Sequence, residues 1–591
     1  AELPAPAGLT ATPGRGQVTL DWEPVDGAVG YLVHRAVAAD GPFEPVDHGG
    51  NDVLAVPHPP YVDTSGERDR EHWYAVAALP EVSRTGALSP PVSGRARSSG
   101  DPTVQIGVDA ARVVGGLHRP WRPMIGSEHL SLMLSDDEVG GRPIGPELTE
   151  ALHRMHHELG VRTVRAHAIL GDDLGVYREV DGQPVHDFSG VDRVYDALLE
   201  TGLRPVVELS YMPRDLASDP TRTVFAYEAI ISPPRDWDRW ADLVTAMTAH
   251  LVDRYGIGEV RDRWSFEVWN EANLDVFWSG SQEEYLRLYD VTAAAVRKVD
   301  ERLVVGGPSS AAAQWVELLL EHAEESGAPV DFLSTHTYGS PPLDLRPILA
   351  RHGREDAEIW WTEWGPGSQH FHLVGDSVFA ATFLLDGMSS SMGRLDALSH
   401  WVASDHFEEL GRPQKLGHGG FGLLTVGNLR KPRWWALALL ERLGDDVLAV
   451  EHSGDGGGGL VSALAARRED GERGSELGVL VWNSSLDQSR MPFDPVLARE
   501  VTVRIEGLAP GAAQLTHHRV DEEHSNVFAV WRDLGGADRD WPEGDEWDQL
   551  RERDGLAELE PARTVDVAAD GVLQVSFTLP HPGISYVTVS T

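Results

Sequence analysis

Between residues 122 and 435 the chain repeats one pattern eight times: a short apolar run, then a longer amphipathic segment of helical period. The runs lie at 124–127, 163–169, 204–210, 265–270, 303–306, 331–336, 358–363 and 396–402. Segments such as 236–255 and 284–299 lie between them, and Ser281 with Glu284 spells a capping box where the latter begins. Parallel strands need a crossover, usually a helix, so strand–helix alternation points to a parallel sheet. Eight such units predict a (β/α)8 TIM barrel. An open doubly wound sheet would alternate similarly, but no Gly-x-Gly-x-x-Gly turn follows the first run.

The flanks read differently. A chain of 591 residues is too long for one core. Residues 1–97 show short strands at 18–22, 30–34 and 72–77, separated by Gly, Pro and Asp turns. Trp22 and Tyr74 sit where a seven-stranded sandwich keeps a core indole and a corner tyrosine, so this stretch resembles a fibronectin type III module. Residues 98–121 read as a linker and a strand, near 103–108, that joins the C-terminal region. Beyond about residue 436 helices are expected to stop, and strands at 459–466, 477–483, 500–505 and 572–579 predict a C-terminal β-sandwich over 436–591. The glycine run 454–459 precedes a strand and lacks Gly-Lys-Ser/Thr, so it reads as a hairpin turn and not as a phosphate loop.

Composition excludes several functions. Net charge is −43, which repels phosphate backbones and anionic lipid surfaces, so neither nucleic acid nor membrane is an expected partner. No apolar run approaches the roughly 20 residues that span a bilayer. The absence of cysteine removes disulfides, thiolate metal sites and a cysteine nucleophile. Ala1-Glu2-Leu3-Pro4 shows no basic region or apolar core, so no signal peptide is visible and a cytoplasmic location is expected, with secretion open if a leader was removed. A homo-oligomer is left open.

Barrel enzymes work where strands end at the carboxyl face, so polar residues that close apolar runs carry the chemistry. Phe266-Glu267-Val268-Trp269-Asn270-Glu271 closes the fourth run on Asn-Glu, and Glu358-Ile359-Trp360-Trp361-Thr362-Glu363 closes the seventh on Glu. One glutamate at a strand end is more often a cap or an arginine partner. Two, each beside tryptophans that limit water, suit cleavage of a glycosidic bond, where one carboxyl protonates the leaving oxygen and the other attacks the anomeric carbon. His370-x-His372 offers two imidazoles without a third ligand at useful spacing, so no metal and no cofactor is expected.

The segment Phe-Glu-Val-Trp-Asn-Glu-Ala-Asn-Leu-Asp-Val-Phe-Trp, from Phe266 to Trp278, resembles the acid/base region of glycoside hydrolase family 39, which contains β-xylosidases and α-L-iduronidases. Further segments share the resemblance: Arg165-Ala166-His167 with Asp172-Asp173, Pro205 to Pro213, Asp331 to Tyr338, Trp401 with Asp405 to Glu409, His418 to Gly422, and Arg519 to Asn526. It covers about residues 103–590. It implies a retaining enzyme with Glu271 as acid/base and Glu363 as nucleophile. It further implies that Asn270 binds the sugar 2-hydroxyl, that His167, Phe277, His336 and Tyr338 line the pocket, that Trp401 forms an apolar wall, and that Glu408 and Glu409 accept sugar hydroxyls.

Three departures fall near the rim of the site: Ala272 where the family usually has Pro, the stretch Trp364 to His372, and Gly171 where relatives often have His. They bear on the substrate and not on the mechanism. The expected activity is that of an exo-acting, β-xylosidase-like retaining glycosidase on an oligosaccharide or glycoside. Alternatives are an α-L-arabinosidase, an α-L-iduronidase that would need Arg412 or Lys415 as uronate contact, or a catalytically silent carbohydrate-binding protein.

Overall fold

The computed structural model describes residues 2–470 and 474–591; Ala1, the first residue of the expected N-terminal module, and residues 471–473 lie outside the described part. Eight strands form one parallel sheet: β1 Met124–Ser127, β2 Thr163–Ala166, β3 Arg204–Leu209, β4 Ser265–Val268, β5 Val305–Ala311, β6 Phe332–Tyr338, β7 Glu358–Gly365 and β8 Ala397–His400. Each pairs with the next in chain order. The Leu398 N–H donates to Pro120 O at 2.8 Å and the Ala403 N–H to Gly126 O at 2.9 Å, which brings β8 beside β1 and nearly closes a TIM-like barrel. Gly126 in β1 makes room at this seam, since a Cβ there would collide with the Trp401 ring.

The helices form where the spacing predicts. Trp237–Tyr255 buries Trp240, Leu243, Val244, Met247 and Leu251, a three-and-four periodicity that lays one apolar stripe on the sheet. Each such side chain contributes about 1.5–3 kcal/mol on burial. Asp236 caps this helix through the N–H groups of Asp238 and Arg239. Ser281 and Glu284 form the reciprocal capping box of Gln282–Val299.

The C-terminal region is sheet-rich but differs from the expectation in two ways. By hydrogen bonding it is one continuous nine-stranded sheet, not two separate sheets. It folds over an apolar core that includes Val104, Ile106, Val501, Val503 and Val587, and Arg519 Nη2 reaches across to Thr578 O at 2.9 Å. Helices also do not stop at 436: Val527–Asp533 and Glu546–Glu552 are short helices, the first capped by Asn526 Oδ1, which accepts from the Phe528 N–H. Each is too short to display periodicity, and burial of Trp531, Trp547 and Leu550 against the barrel side holds them. The strand Thr103–Gly116, which precedes the barrel, lies inside this sheet between Asp446–Gly454 and Arg499–Glu506.

Residues 10–95 form a three-stranded and a four-stranded sheet around Val18, Leu20, Trp22, Tyr31, Val33 and Tyr74. Tyr74 Oη donates to Asp63 Oδ2 at 2.7 Å. Val29, Val53, Ala55 and Leu79 of the same region are buried in the barrel's own apolar core. No helix among the described residues is long and apolar enough to cross a membrane.

Candidate active site

At the carboxyl ends of the strands, the backbone just past β4 turns sharply. Trp269 and Glu271 adopt φ of 69° and 44°, a left-handed conformation that costs a non-glycine residue on the order of 1–3 kcal/mol and is held only by its surroundings. Three contacts supply that hold: Tyr285 Oη donates to Val268 O at 3.0 Å, Trp269 Nε1 to Phe277 O at 2.8 Å, and the Glu271 N–H to Ser309 O at 2.7 Å. The turn aims Glu271 at the barrel axis. On the other side, the β6–β7 register shifts by one residue between Thr335 and His336, so that His336 pairs with Glu363. Such an irregularity re-aims side chains at a strand end.

The two carboxyls converge. Glu271, Glu363 and His336 each bring one ligand-capable atom within 4.8 Å of the others'. Both glutamates are buried, 8% and 5% exposed. Glu363 is surrounded by donors: Arg165 Nη1 and Tyr338 Oη each donate to it at 2.6 Å, and His167 Nε2 lies 3.8 Å away. Its pKa stands above the ordinary value: burial raises it, Arg165, His167 and the Tyr338 hydrogen bond pull it back only in part, and the charge of Glu409 adds to the rise. Glu271 has His336 Nδ1 at 2.8 Å. Burial and the charge of Glu363 push its carboxyl well above the usual range, so of the pair Glu271 is the one that keeps a proton. His336 is itself held neutral, its pKa pushed well down by burial, with Arg165 and His167 adding to the effect.

Arg165 sits at the centre. It is fully buried, and besides Glu363 it donates to Glu267 at 2.8 Å, Asn270 Oδ1 at 2.9 Å and Ser309 Oγ at 2.7 Å, with Glu208 Oε2 2.8 Å away. A single guanidinium fork thereby orients Asn270 and the Glu363 carboxylate together. Burial opposes a charge on His167, but Glu208, with Nδ1 at 3.0 Å from its Oε2, and Glu409, with Oε1 at 3.3 Å from Nε2, raise its pKa well above the ordinary value.

The expected site residues divide by position. His167, Asn270, His336, Tyr338, Trp401 and Glu409 are buried around the two carboxyls. The Trp401 ring lies 4.8 Å from His167 and 5.7 Å from the Arg165 guanidinium. Phe277 is half-buried on the rim, 5.5 Å from Phe225. Glu408 is less enclosed, with Oε1 accepting from Arg412 Nε at 2.7 Å. His370 Nε2 lies 2.9 Å from Glu409 Oε2, and His372 Nδ1 accepts from the Val374 N–H, so the two imidazoles point to different partners. A cavity of about 840 Å3 lies at the opposite end of the barrel, beside Met124, Arg204, Ser265 and Glu358, and holds neither carboxyl of the pair.

The sequence profile of glycosyl hydrolases family 39 matches residues 104–558. This chain belongs to glycosyl hydrolase family 39. Similar proteins include a β-xylosidase of Caldicellulosiruptor saccharolyticus, 31% identical over 460 residues that cover 73% of this chain and 88% of that one. Among solved structures, the family 39 enzyme of Xanthomonas axonopodis pv. citri aligns with a TM-score of 0.70 at 28% identity, covering 83% of this chain and 98% of the other. A monomeric β-xylosidase from Caulobacter crescentus CB15 aligns with a TM-score of 0.69 at 29% identity, covering 82% and 99%.

Within this family 39 glycoside hydrolase, the sequence pattern gave roles to end-of-strand residues and none to the charges within strands. Arg165, Glu208 and Glu267 are buried in β2, β3 and β4. A charge inside a fully buried strand is costly unless paired, and that cost was the available signal. Phe225 and Tyr227, also passed over, come from the loop after β3; Phe225 stacks on His167 at 5.5 Å, and Tyr227 Oη donates to Glu128 at 3.1 Å. No periodicity marks them.

Proposed function

We propose that this chain is a retaining exo-glycosidase of β-xylosidase type, with Glu271 as acid/base and Glu363 as nucleophile. The observation that carries the reading is a pair of buried carboxyls with oxygens within 4.8 Å and opposite surroundings. Retaining glycosidases hold these groups about 5–5.5 Å apart, whereas inverting ones need about 6.5–9.5 Å to admit a water. Glu363, whose charged form Arg165 and Tyr338 favour, attacks the anomeric carbon. As that bond forms, the bond to the leaving oxygen breaks and Glu271 delivers its proton there. Glu271 then takes a proton from a water, which attacks the same carbon and frees Glu363. Asn270 Nδ2 donates one N–H to Tyr211 Oη at 3.2 Å, and its second is available to the sugar 2-hydroxyl.

The xylose preference draws support from the β-xylosidases among the relatives. A uronate would need a cation, and Arg412 is exposed and engaged with Glu408 and Asp137, while Lys415 is exposed. The enclosed carboxyl pair suits a terminal sugar, hence exo action. We read the N-terminal module as fibronectin type III-like, from its three- and four-stranded sheets with Trp22 and Tyr74 in the core.

The test is a panel of nitrophenyl pentosides, hexosides and uronides. Proton NMR of the sugar first released gives the stereochemistry. Nitrophenyl β-xyloside should be the best substrate and β-xylose the first product. Release of α-xylose overturns the retaining mechanism, preference for an α-L-iduronide overturns the sugar, and no hydrolysis across the panel leaves a binding protein.

A further inference from the structure

The loop 47–53 of the N-terminal module lies against the mouth of the barrel. The Asp52 N–H donates to Tyr338 O at 3.1 Å, and the Tyr338 N–H donates to Asp52 Oδ1 at 2.9 Å. Ser340 Oγ adds a bond to Val53 O at 2.9 Å. Gly339 permits this approach, since it sits at φ 80° and a Cβ there would collide with the Asn51 backbone. The end of β6 is therefore held by the module. Gln488 of the C-terminal region ties the same loop to the segment after the nucleophile: its N–H donates to His48 O at 2.8 Å, and its Nε2 to Pro366 O at 2.6 Å.

Asp52 is exposed, yet burial among surrounding protein pushes its carboxyl up to about 7. Its charge is among those that raise Glu271, alongside Glu363, while Arg165 and His167 act the other way and His336 is neutral.

We propose that Asp52, carried in by the N-terminal module, is a positioning residue of the active site. It holds the backbone of Tyr338, whose hydroxyl donates to Glu363, and its charge adds to those that act on Glu271. The proposal rests on the roles assigned above to Glu271 and Glu363.

The test uses full-length Asp52→Ala and Asp52→Asn, with Arg84→Ala as control, because Arg84 pairs with Glu317 at 3.1 Å elsewhere on the module–barrel contact. Asp52→Ala removes the acceptor for Tyr338, and kcat on the best aryl glycoside should fall about 10-fold with KM nearly unchanged. Asp52→Asn keeps an acceptor and removes the charge. It should recover most of kcat and move the alkaline limb of the kcat/KM profile down by about half a pH unit, because Glu271 then releases its proton more easily. Arg84→Ala should match wild type in both. Wild-type kcat and pH profile in both Asp52 variants would overturn the proposal, as would equal loss in both with the limb unmoved. If wild type hydrolyses no glycoside, the proposed function fails and a crystal structure of Asp52→Ala still decides this inference. Displacement of Tyr338 Oη from Glu363 supports it; Oη remaining at 2.6 Å overturns it.

Discussion

The β7 side and the β4 side of the barrel mouth present the same functional group in contrasting settings. Glu363 receives two charged or hydroxyl donors at 2.6 Å against the charge of Glu409, whereas Glu271 has one neutral imidazole and feels the charge of Glu363 and, more weakly, of Asp52. Burial is similar, so it cannot separate their roles. Donor placement can. Donors favour the charged form of Glu363 against its burial, whereas Glu271, with fewer donors and the Glu363 charge beside it, is raised further and holds its proton longer.

Deleting each carboxyl tests the contrast most severely. Glu363→Ala should lose at least about 10⁴-fold in kcat on every glycoside, since no other group is placed to attack the anomeric carbon. Glu271→Ala should lose about 10²–10⁴-fold on substrates with poor leaving groups but spare the first step on dinitrophenyl glycosides, which need no protonation. Azide should then accelerate the second step and give the β-glycosyl azide. Rescue confined to Glu363→Ala, with the opposite anomer, would swap the two sides.

Arg165→Lys probes the donor-rich side itself. An ammonium cannot reach Glu208, Glu267, Asn270 and Glu363 at once, so kcat should drop about 10–100-fold and stability by about 2–4 kcal/mol in denaturant titrations. Near-normal activity would show that the guanidinium is not what ionises Glu363. Tyr338→Phe removes a single donor, for which about a 10-fold loss in kcat and an upward shift of the acidic limb of kcat/KM are expected, because the Glu363 pKa then rises.

The smallest effect is on stability. Glu271 has a folded pKa raised above its unfolded value, so its ionisation opposes folding: there is no penalty below about pH 4.5, and it grows as pH rises toward the folded pKa. Glu271→Gln cannot ionise and should melt about 2–4 °C higher than wild type at pH 8, with the difference vanishing near pH 4. A gain independent of pH would mean that charge is not the cause.

Much of this was legible beforehand because it depends on local pattern. The eight apolar runs coincide with the eight barrel strands within a few residues, and Asn270-Glu271 and Glu363 stand at strand ends where the alternation requires polar closure. What stayed hidden depends on contacts distant in sequence. Arg165 pairs with residues from β3, β4 and β7, a four-way meeting that no window of sequence contains. Asp52 bonds Tyr338 across 286 positions. The helix at Val527–Asp533 and the continuity of the nine-stranded sheet likewise arise from packing.

The strand Thr103–Gly116 has a consequence for how the chain is made. It leaves the ribosome before the barrel, yet both of its sheet neighbours, Asp446–Gly454 and Arg499–Glu506, leave after it. At about 5–20 residues per second the first partner follows only after some tens of seconds. Throughout that interval Val104, Ile106 and Val108 have no core to enter, and the edges of the strand invite pairing with other nascent chains. Joining the ends of so long a segment adds little thermodynamic cost, since closure entropy grows only logarithmically with length. The burden is kinetic: synthesis rate and chaperone access during that window, more than final stability, should govern the yield of soluble protein.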